Sequence, residues 1–374
     1  MKKRIVWILL GLMVFMSGIA AAAPAEESAP GSRIKELLKD WNKQDAKQAA
    51  GTRIDGKVGL VWQATLEKDS DMSENERLAG MNVVSPCWFR VTDSDGTVET
   101  GSIRADKDYV KKAQKKGYKV WALVTNGFDP DMTQALLANS AGSRRAVNEI
   151  VKLSKEYKLD GINLDFENIY EEDRDALSWF ISELGAALHR EGKTFSVDVT
   201  FPGGSGNWSL CLDRGAIAKA ADYVMVMAYD EHTRASKYAG SVASLGWVEE
   251  GLQATLQEVP AEKLVLGMPL YSRLWEETEG TVSDVKTLWM DEAADIIRDR
   301  KLQHVWDADA GQYYFEYTKG GHIYRVWQED ARSLALKAAL ISKYDLAGGA
   351  LWRRGFETAD VWPVIAAELE NAQR

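Results

Sequence analysis

From Lys57 onward, short apolar runs rich in β-branched and aromatic residues alternate with longer stretches that carry apolar residues at helical spacing. The strand-like runs are Val58–Trp62, Asn82–Val91, Lys119–Asn126, Gly161–Glu167, Thr194–Thr200, Tyr223–Asp230, Leu264–Tyr271 and Gly348–Arg353. The helical stretches include Asp106–Lys116, Ser143–Tyr157, Arg174–Arg190 and Trp247–Glu258. Strands and helices that alternate in this way predict parallel βαβ units.

Eight such units predict an α/β fold, a (β/α)8 or TIM barrel, over residues 55–374. The alternative, an open doubly wound sheet, usually places a glycine-rich phosphate loop after its first strand, and none follows Trp62. The gap between strands 7 and 8 is too long for one helix. It holds a helical stretch, Asp284–Arg298, and then a run of aromatic residues, which predicts a small α+β insertion at about residues 276–328.

The N-terminus has the pattern of a targeting segment rather than of a folded domain. Three basic residues precede an apolar run, Ile5–Ile19, that ends in the small residues Ala20–Ala23. This pattern predicts a secretory signal peptide at residues 1–25, and an uncleaved membrane anchor is the alternative. Residues 26–54 are expected to form a flexible spacer and one helix. The protein is therefore expected to be secreted or held at the cell envelope.

Charge and cysteine content exclude some functions and leave others open. The chain of 374 residues has 46 basic and 56 acidic side chains, and the resulting net charge of -10 argues against binding to nucleic acid. The only two cysteines, Cys87 and Cys211, match no metal-binding spacing, and they could form one long-range disulfide or remain free thiols. The four histidines also show no metal spacing, so neither a metal nor a cofactor is expected.

Tryptophan is unusually frequent, with 14 residues in the chain. Several lie at or just past the ends of predicted strands, where a barrel would place them around its mouth. Such flat apolar rings could stack on sugar rings in a binding groove. These residues are Trp62, Trp88, Trp208, Trp247, Trp275 and Trp352.

The candidate catalytic residues concentrate in the segment Asp160–Glu167, which the pattern predicts to be a strand. The strand period of two places Asn163, Asp165 and Glu167 on one face and apolar residues on the other. In a barrel the apolar face packs against the helices, so the polar face must line the interior and Glu167 must emerge at the mouth. Two carboxyl groups this close raise at least one pKa, which is what a general acid requires.

Four segments resemble glycoside hydrolase family 18, the chitinase-like barrels. Asp160–Glu167 is similar to the family's DxxDxDxE signature, and Met227–Asp230 is similar to its MxYD segment. Gly267–Tyr271 is similar to GxPxY, and Gly348–Trp352 ends where the family has an active-site tryptophan. More specifically, the chain resembles the bacterial branch of spore-germination and cortex-lytic N-acetylglucosaminidases.

The resemblance implies roles for individual residues. Glu167 would be the general acid, and Asp165 would orient the acetamido group of the substrate and balance developing positive charge. Tyr229 would donate its hydroxyl to the acetamido carbonyl, and Trp352 would form an apolar floor under the sugar. The other expected substrate contacts are Asn163, Met227, Asp230, Tyr271 and Trp88. For Met227, packing in the core is the alternative.

One position departs from the family signature, since Asn163 replaces its inner aspartate. An amide cannot take up charge, but it can donate a hydrogen bond, and we expect it to donate to Asp165. Asp198 lies on the polar face of the fifth strand, where it either lines the site or makes a structural hydrogen bond.

The expected function is that of a secreted, monomeric β-N-acetylglucosaminidase that cleaves peptidoglycan by retaining, substrate-assisted catalysis. Chitin-type N-acetylated glycans are the second candidate substrate. A non-hydrolytic carbohydrate-binding barrel is the alternative from another class, although such proteins typically lose the acid that Glu167 supplies. A third alternative is a barrel that mainly docks to other wall proteins.

Overall fold

The computed structural model describes residues 52–64, 71–101 and 103–373. The expected signal peptide or anchor at 1–25, and the spacer and helix up to residue 51, lie outside the described residues. Within these residues, no helix is both long enough and apolar enough to cross a membrane.

Strands and helices alternate along most of the chain. The strands are β1 (Val58–Gln63), β2 (Val83–Val91), β3 (Val98–Thr100), β4 (Lys119–Thr125), β5 (Gly161–Asp165), β6 (Thr194–Val199), β7 (Tyr223–Met227), β8 (Leu264–Pro269), β9 (Tyr271–Thr278), β10 (Thr281–Trp289), β11 (Val305–Asp307), β12 (Gln312–Lys319), β13 (His322–Gln328) and β14 (Gly348–Trp352). The α-helices are α1 (Lys107–Lys115), α2 (Pro130–Ala138), α3 (Ser140–Glu156), α4 (Arg174–Arg190), α5 (Arg214–Ala220), α6 (Leu245–Thr255), α7 (Met290–Arg300), α8 (Ala331–Lys343) and α9 (Val361–Asn371).

Eight parallel strands close into a barrel in the order β1, β2, β4, β5, β6, β7, β8 and β14. Closure is achieved because β1 pairs on one side with β14 and on the other with β2. This confirms the predicted (β/α)8 fold, and every predicted barrel strand begins within one residue of the observed strand. The predicted strands run on by one to three residues at most carboxyl ends, where the chain turns into the loops of the mouth.

One apolar layer lies on each side of the barrel wall. Outside, the helices cover the strands, and Phe166 stacks on Phe180 of α4 with ring centroids 5.5 Å apart. Inside, Trp121 stacks on Tyr223 at 5.5 Å, within a cluster that also contains Leu60. These interior side chains fill the amino-terminal part of the barrel, so the polar side chains of β5 occupy the part nearer the mouth.

The insertion between β8 and β14 contains a five-stranded antiparallel sheet, ordered β10, β9, β13, β12 and β11, together with α7. It confirms the predicted α+β insertion. The sheet begins at Tyr271, directly after the barrel strand β8 ends at Pro269. The insertion is thus joined to the mouth by a single residue, Leu270, whose N–H donates to the carbonyl of Trp352 at 2.7 Å.

The predicted helix Asp284–Arg298 is wrong in its first part. Residues up to Trp289 form β10, which pairs with β9, and the helix α7 begins only at Met290. The partner strand, together with β-branched residues such as Val282 and Val285, favours the strand. The helix begins where the Trp289 N–H donates to the Glu292 carboxylate at 3.0 Å, a contact that local apolar spacing does not reveal.

A buried ion pair ties the end of the insertion to the barrel. Lys337 on α8 contacts both oxygens of Glu329 at 2.8 and 3.1 Å, and neither side chain is exposed. Glu329 also accepts hydrogen bonds from Ser333 at 2.6 Å and from Gln312 of β12 at 2.9 Å. Burial raises the pKa of Glu329, and Lys337 opposes that rise, so the charged carboxylate depends on its lysine.

Lys337→Met should destabilise the protein by about 3–5 kcal/mol, because it leaves Glu329 buried without its counter-charge. The measurement is urea unfolding followed by circular dichroism. The double variant Lys337→Met/Glu329→Gln is the control, and it should recover much of the loss. If the single and double variants unfold at the same urea concentration, uncompensated charge is not the cause.

Candidate active site

The polar face of β5 lies inside the barrel, as the alternation of its residues predicts. Ile162 and Leu164 belong to the core outside the wall. Asn163 and Asp165 point inward, with 0% and 7% of their surface exposed. Glu167 follows at the carboxyl end of β5, where barrel enzymes place their catalytic residues, and it lines a cavity at the mouth.

Asp165 and Glu167 are in side-chain hydrogen-bond contact. Burial raises the pKa of Asp165 to about 7. Burial also raises the pKa of Glu167 well above its ordinary value, and the charges of Asp165 and Asp230 raise it further. Because two carboxyl groups this close do not readily ionise together, the pair retains a proton at neutral pH. One carboxyl group can therefore donate a proton while the other carries negative charge.

Asn126, which follows β4, holds the backbone of Glu167 from two sides. Its side-chain oxygen accepts from the Glu167 N–H at 3.1 Å, and its amide nitrogen donates to the Glu167 carbonyl at 2.8 Å. The same nitrogen donates to the Thr133 hydroxyl at 2.9 Å, and Asn126 is fully buried. In the sequence, Asn126 stands out only as the last residue of a predicted strand, so this role was not predicted. An asparagine at a strand end of a barrel was the available signal.

Asn163 does not donate to Asp165, so that expectation is wrong. Its amide nitrogen donates to Ser196 at 3.1 Å and to Asp198 at 2.6 Å. The reason is the indole N–H of Trp62, which can only donate. It donates to the amide oxygen of Asn163 at 2.8 Å. With the oxygen held on that side, both amide hydrogens face β6. Asn163 is therefore an internal connector rather than a group that contacts a ligand.

Asp198 is a buried member of the same acidic cluster, with 4% of its surface exposed. Burial, and after it the charge of Asp165, raises the pKa of Asp198 well above its ordinary value. The charge of Glu167 raises it further, whereas the hydrogen bond from Asn163 lowers it. Of the two interpretations that the sequence left open, the structural hydrogen bond is present, and the side chain also interacts with the site.

The residues after β7 supply a phenol and a third mouth carboxylate. Burial raises the pKa of Tyr229 well above its ordinary value, and nearby acidic groups add to the effect, so its hydroxyl stays protonated. Asp230 accepts from the Tyr271 hydroxyl at 2.5 Å and from Arg273 at 2.6 Å. Tyr271 therefore acts on the site through Asp230, and both lie with Tyr229 on one side of the mouth.

Trp88 does not lie at the mouth, and its expected substrate contact is wrong. Its ring is fully buried outside the barrel wall, 5.3 Å from the ring of Tyr109 and 6.2 Å from that of Tyr157. Val83, Ser85 and Cys87 face the barrel interior, so the alternation of β2 itself points Trp88 outward. The register shift between Cys87 and Phe89 turns Phe89 outward as well. The expected contact was based on the position of Trp88 near a strand end, and that position alone does not place a ring at the mouth.

The remaining tryptophans divide into buried and accessible rings. Trp62 lies inside the barrel, and Trp275 of β9 packs against the segment after β7, where its indole donates to the Gly240 carbonyl at 2.8 Å. Both rings are at most 1% exposed. Trp352 is partly exposed at the end of β14, with its ring centroid 6.0 Å from that of Trp62. The peptide bond between Trp352 and Arg353 is cis.

A cavity of about 850 Å³ opens beside Glu167, between the loops that follow β6 and β7. Met227 and Tyr229 line its base, and Trp208 and Trp247 line its outer wall. Trp208 is 44% exposed and lies 6.4 Å from the 50% exposed ring of Phe128. Because Met227 lines this cavity, the structure favours the expected substrate contact over packing in the core.

Both cysteines are free thiols, which decides between the two alternatives that the sequence left open. Cys87 lies near the acidic cluster, and burial raises the pKa of its thiol. In the part of the chain that the structure describes, no three His, Cys, Asp or Glu side chains are grouped so that they could hold a metal ion.

Comparison with known proteins connects this geometry to a family. The model of glycosyl hydrolases family 18 matches residues 68–357. A Bacillus subtilis protein described as an uncharacterized glycosylase, YvbX, is 31% identical over 288 residues, which cover 73% of this chain and 82% of that protein. The cortical fragment-lytic enzyme of Bacillus subtilis is 28% identical over 261 residues, covering 67% of this chain and 59% of that enzyme.

Solved structures show the same architecture. A chitinase from Chromobacterium violaceum is 27% identical, with a TM-score of 0.76 over 85% of this chain and 99% of that chain. The spore cortex-lytic enzyme SleL of Bacillus megaterium has a TM-score of 0.73 over 85% of this chain and 74% of its own, at 22% identity.

Glu167→Gln should gain thermal stability relative to wild type as the pH rises from acidic to neutral. The unfolded pKa of a glutamate is about 4.3. The pKa of Glu167 is raised in the folded protein, so its contribution to the wild-type stability is fully present below the unfolded pKa. That contribution is lost as the pH rises toward the folded pKa. The uncharged glutamine avoids this loss.

The measurement is the difference in melting temperature between Glu167→Gln and wild type, followed from acidic to neutral pH. Glu279→Gln, at an exposed turn of the insertion, is the matched control and should show no trend. A difference for Glu167→Gln that stays constant with pH would contradict the raised pKa.

Proposed function

Since the chain belongs to glycosyl hydrolases family 18 and is therefore a glycoside hydrolase, we propose that it cleaves the β-1,4 bond after N-acetylglucosamine in peptidoglycan. The observation that carries the proposal is the buried Asp165–Glu167 pair at the barrel mouth, which holds a proton at neutral pH. Cleavage with retention of configuration, assisted by the substrate's acetamido group, suits this pair.

In the first step, the acetamido carbonyl oxygen bonds to the anomeric carbon while the glycosidic carbon–oxygen bond breaks. Glu167 gives its proton to the departing oxygen and becomes a carboxylate. An oxazolinium ion forms, and Asp165 balances its positive charge. The buried Oδ1 of Asp165 has no hydrogen-bond partner in the structure, so it is available to accept the acetamido N–H.

Tyr229 and Trp352 position the same sugar. The raised pKa of Tyr229 keeps its phenol protonated, so the hydroxyl can donate to the acetamido oxygen as charge develops. Trp352 offers a partly exposed ring beside Trp62 as an apolar floor. In the second step, water attacks the anomeric carbon, and the bond from that carbon to the acetamido oxygen breaks, which restores the acetamido group. The attacking water gives a proton to the Glu167 carboxylate, which restores the acid.

Peptidoglycan is proposed as the substrate because two kinds of observation agree. The N-terminal pattern at residues 1–25 favours export to the cell envelope. The relatives include enzymes described as cortical fragment-lytic. Chitin-type glycans are the second candidate, favoured by similarity to the Chromobacterium chitinase and, at 25% identity, to human di-N-acetylchitobiase.

Purified peptidoglycan and chitooligosaccharides, each incubated with wild type and with Glu167→Gln, test the proposal. Wild type should release products with reducing N-acetylglucosamine ends from peptidoglycan, as identified by mass spectrometry. Glu167→Gln should lose activity by a factor of about 10² to 10⁴, because it lacks the general acid.

Glu279→Gln is again the matched control and should keep full activity. Muramic acid at the reducing ends would refute the assigned bond, and turnover of chitooligosaccharides alone would favour chitin. Binding of glycan without any turnover would instead indicate a carbohydrate-binding barrel.

Asn126→Ala should lower kcat by about 10-fold to 100-fold with little change in KM, because Glu167 loses the clamp that sets its position. Steady-state kinetics on the preferred glycan provide the measurement. Asn139→Ala is the control, since Asn139 caps helix α3 away from the site and should affect stability by about 1 kcal/mol but not kcat. Equal kcat values for Asn126→Ala and wild type would exclude the positioning role.

A further inference from the structure

Asp198 is a buried carboxyl group that lacks a counter-charge among the described residues. It lies on β6, and 4% of its surface is exposed. None of the lysine or arginine side chains that the structure describes forms an ion pair with it. The Asn163 amide donates a hydrogen bond to its carboxyl group at 2.6 Å.

The groups that face Asp198 from the neighbouring elements are acidic or neutral. Asp165 and Glu167 face it from β5 and the loop that follows. The phenol of Tyr229 faces it from the segment after β7, and the thiol of Cys87 faces it from β2. Three carboxyl groups therefore share one desolvated space, and they cannot all carry charge.

A hydrogen bond to Asn163 does not by itself require a carboxyl group here. A neutral amide or hydroxyl would satisfy the same N–H without the cost of burying an ionisable group. The acidic side chain is explained if its proton is exchanged within the cluster. Coupled carboxyl groups titrate together, so the charge on any one of them changes the proton affinity of the other two.

We propose that Asp198 is a positioning residue on the neighbouring strand, held in place by Asn163, and that the charge of its carboxyl group tunes the protonation of Asp165 and Glu167. Asn163 connects the two strands, because its amide donates to Asp198 while its own position is held by Trp62 and Ser85. When Asp198 is ionised, its negative charge keeps Glu167 protonated to higher pH. The catalytic consequence rests on the proposed function, whereas the coupling of the three carboxyl groups does not.

The kinetic test uses an exchange of the two side chains. Asp198→Asn removes one negative group, so both limbs of the kcat profile should move to lower pH, the alkaline limb by about one pH unit. Asn163→Asp adds one and should move the limbs to higher pH. The exchange variant Asn163→Asp/Asp198→Asn restores the number of carboxyl groups and should return the profile toward wild type.

A purely structural role for Asp198 would lower kcat without moving either limb, and that result would overturn the proposal. Asp309→Asn, on an exposed loop of the insertion, is the matched control and should leave the profile unchanged. Circular dichroism spectra establish that each variant is folded. If Asp198→Asn does not fold, the comparison of Asn163→Asp with the exchange variant provides the same test.

An infrared titration without substrate separates this proposal from the proposed function. Protonated carboxyl groups have their own carbonyl band, and its last component should disappear at lower pH in Asp198→Asn than in wild type. Identical titrations would overturn the coupling, whatever the activity. A shifted titration in a protein that cleaves no N-acetylated glycan would support the coupling and overturn the proposed function instead.

Discussion

The hydrogen bond from the Trp62 indole to the Asn163 oxygen determines how the inside of the mouth is arranged. An indole N–H can only donate, so it fixes which end of the amide faces β1. Both amide hydrogens then point toward β6, where they meet Ser196 and Asp198. Asp165 receives neither hydrogen, which leaves one of its oxygens unpaired for a ligand. One donor on β1 thus sets the state of two carboxyl groups on β5 and β6.

The barrel was predictable because its signal is repeated eight times along the chain. Runs of apolar residues mark each strand, and errors at individual ends do not alter the order of the units. The faces of β5 were predictable for a similar reason, since alternation holds as long as a strand is regular. Trp88 shows that alternation is a better guide than position near a strand end, because β2 points the ring to the outside of the wall. Trp289 shows where sequence reasoning stops, since β10 exists only through its pairing with β9.

Within the site, the sequence identified groups that carry charge better than groups that hold them in place. Asp165, Glu167 and Tyr229 lie in segments with a recognisable pattern and meet at the mouth. Asn126 is isolated in the sequence, and its importance comes from a contact with a backbone 41 positions away. The predicted orientation of Asn163 was wrong because the actual one depends on competition among four partners, which three other strands contribute.

Burial explains both the cost and the usefulness of the acidic cluster. The apolar interior formed by residues such as Trp121 and Tyr223 excludes water below the cluster, and the barrel wall excludes it from the sides. Carboxyl groups in such a space keep protons that they would lose in water. Each also responds strongly to its neighbours, since little solvent screens the charges. A site built in this way can hold an acid and a charged base a hydrogen bond apart, provided that the number of carboxyl groups around them is controlled.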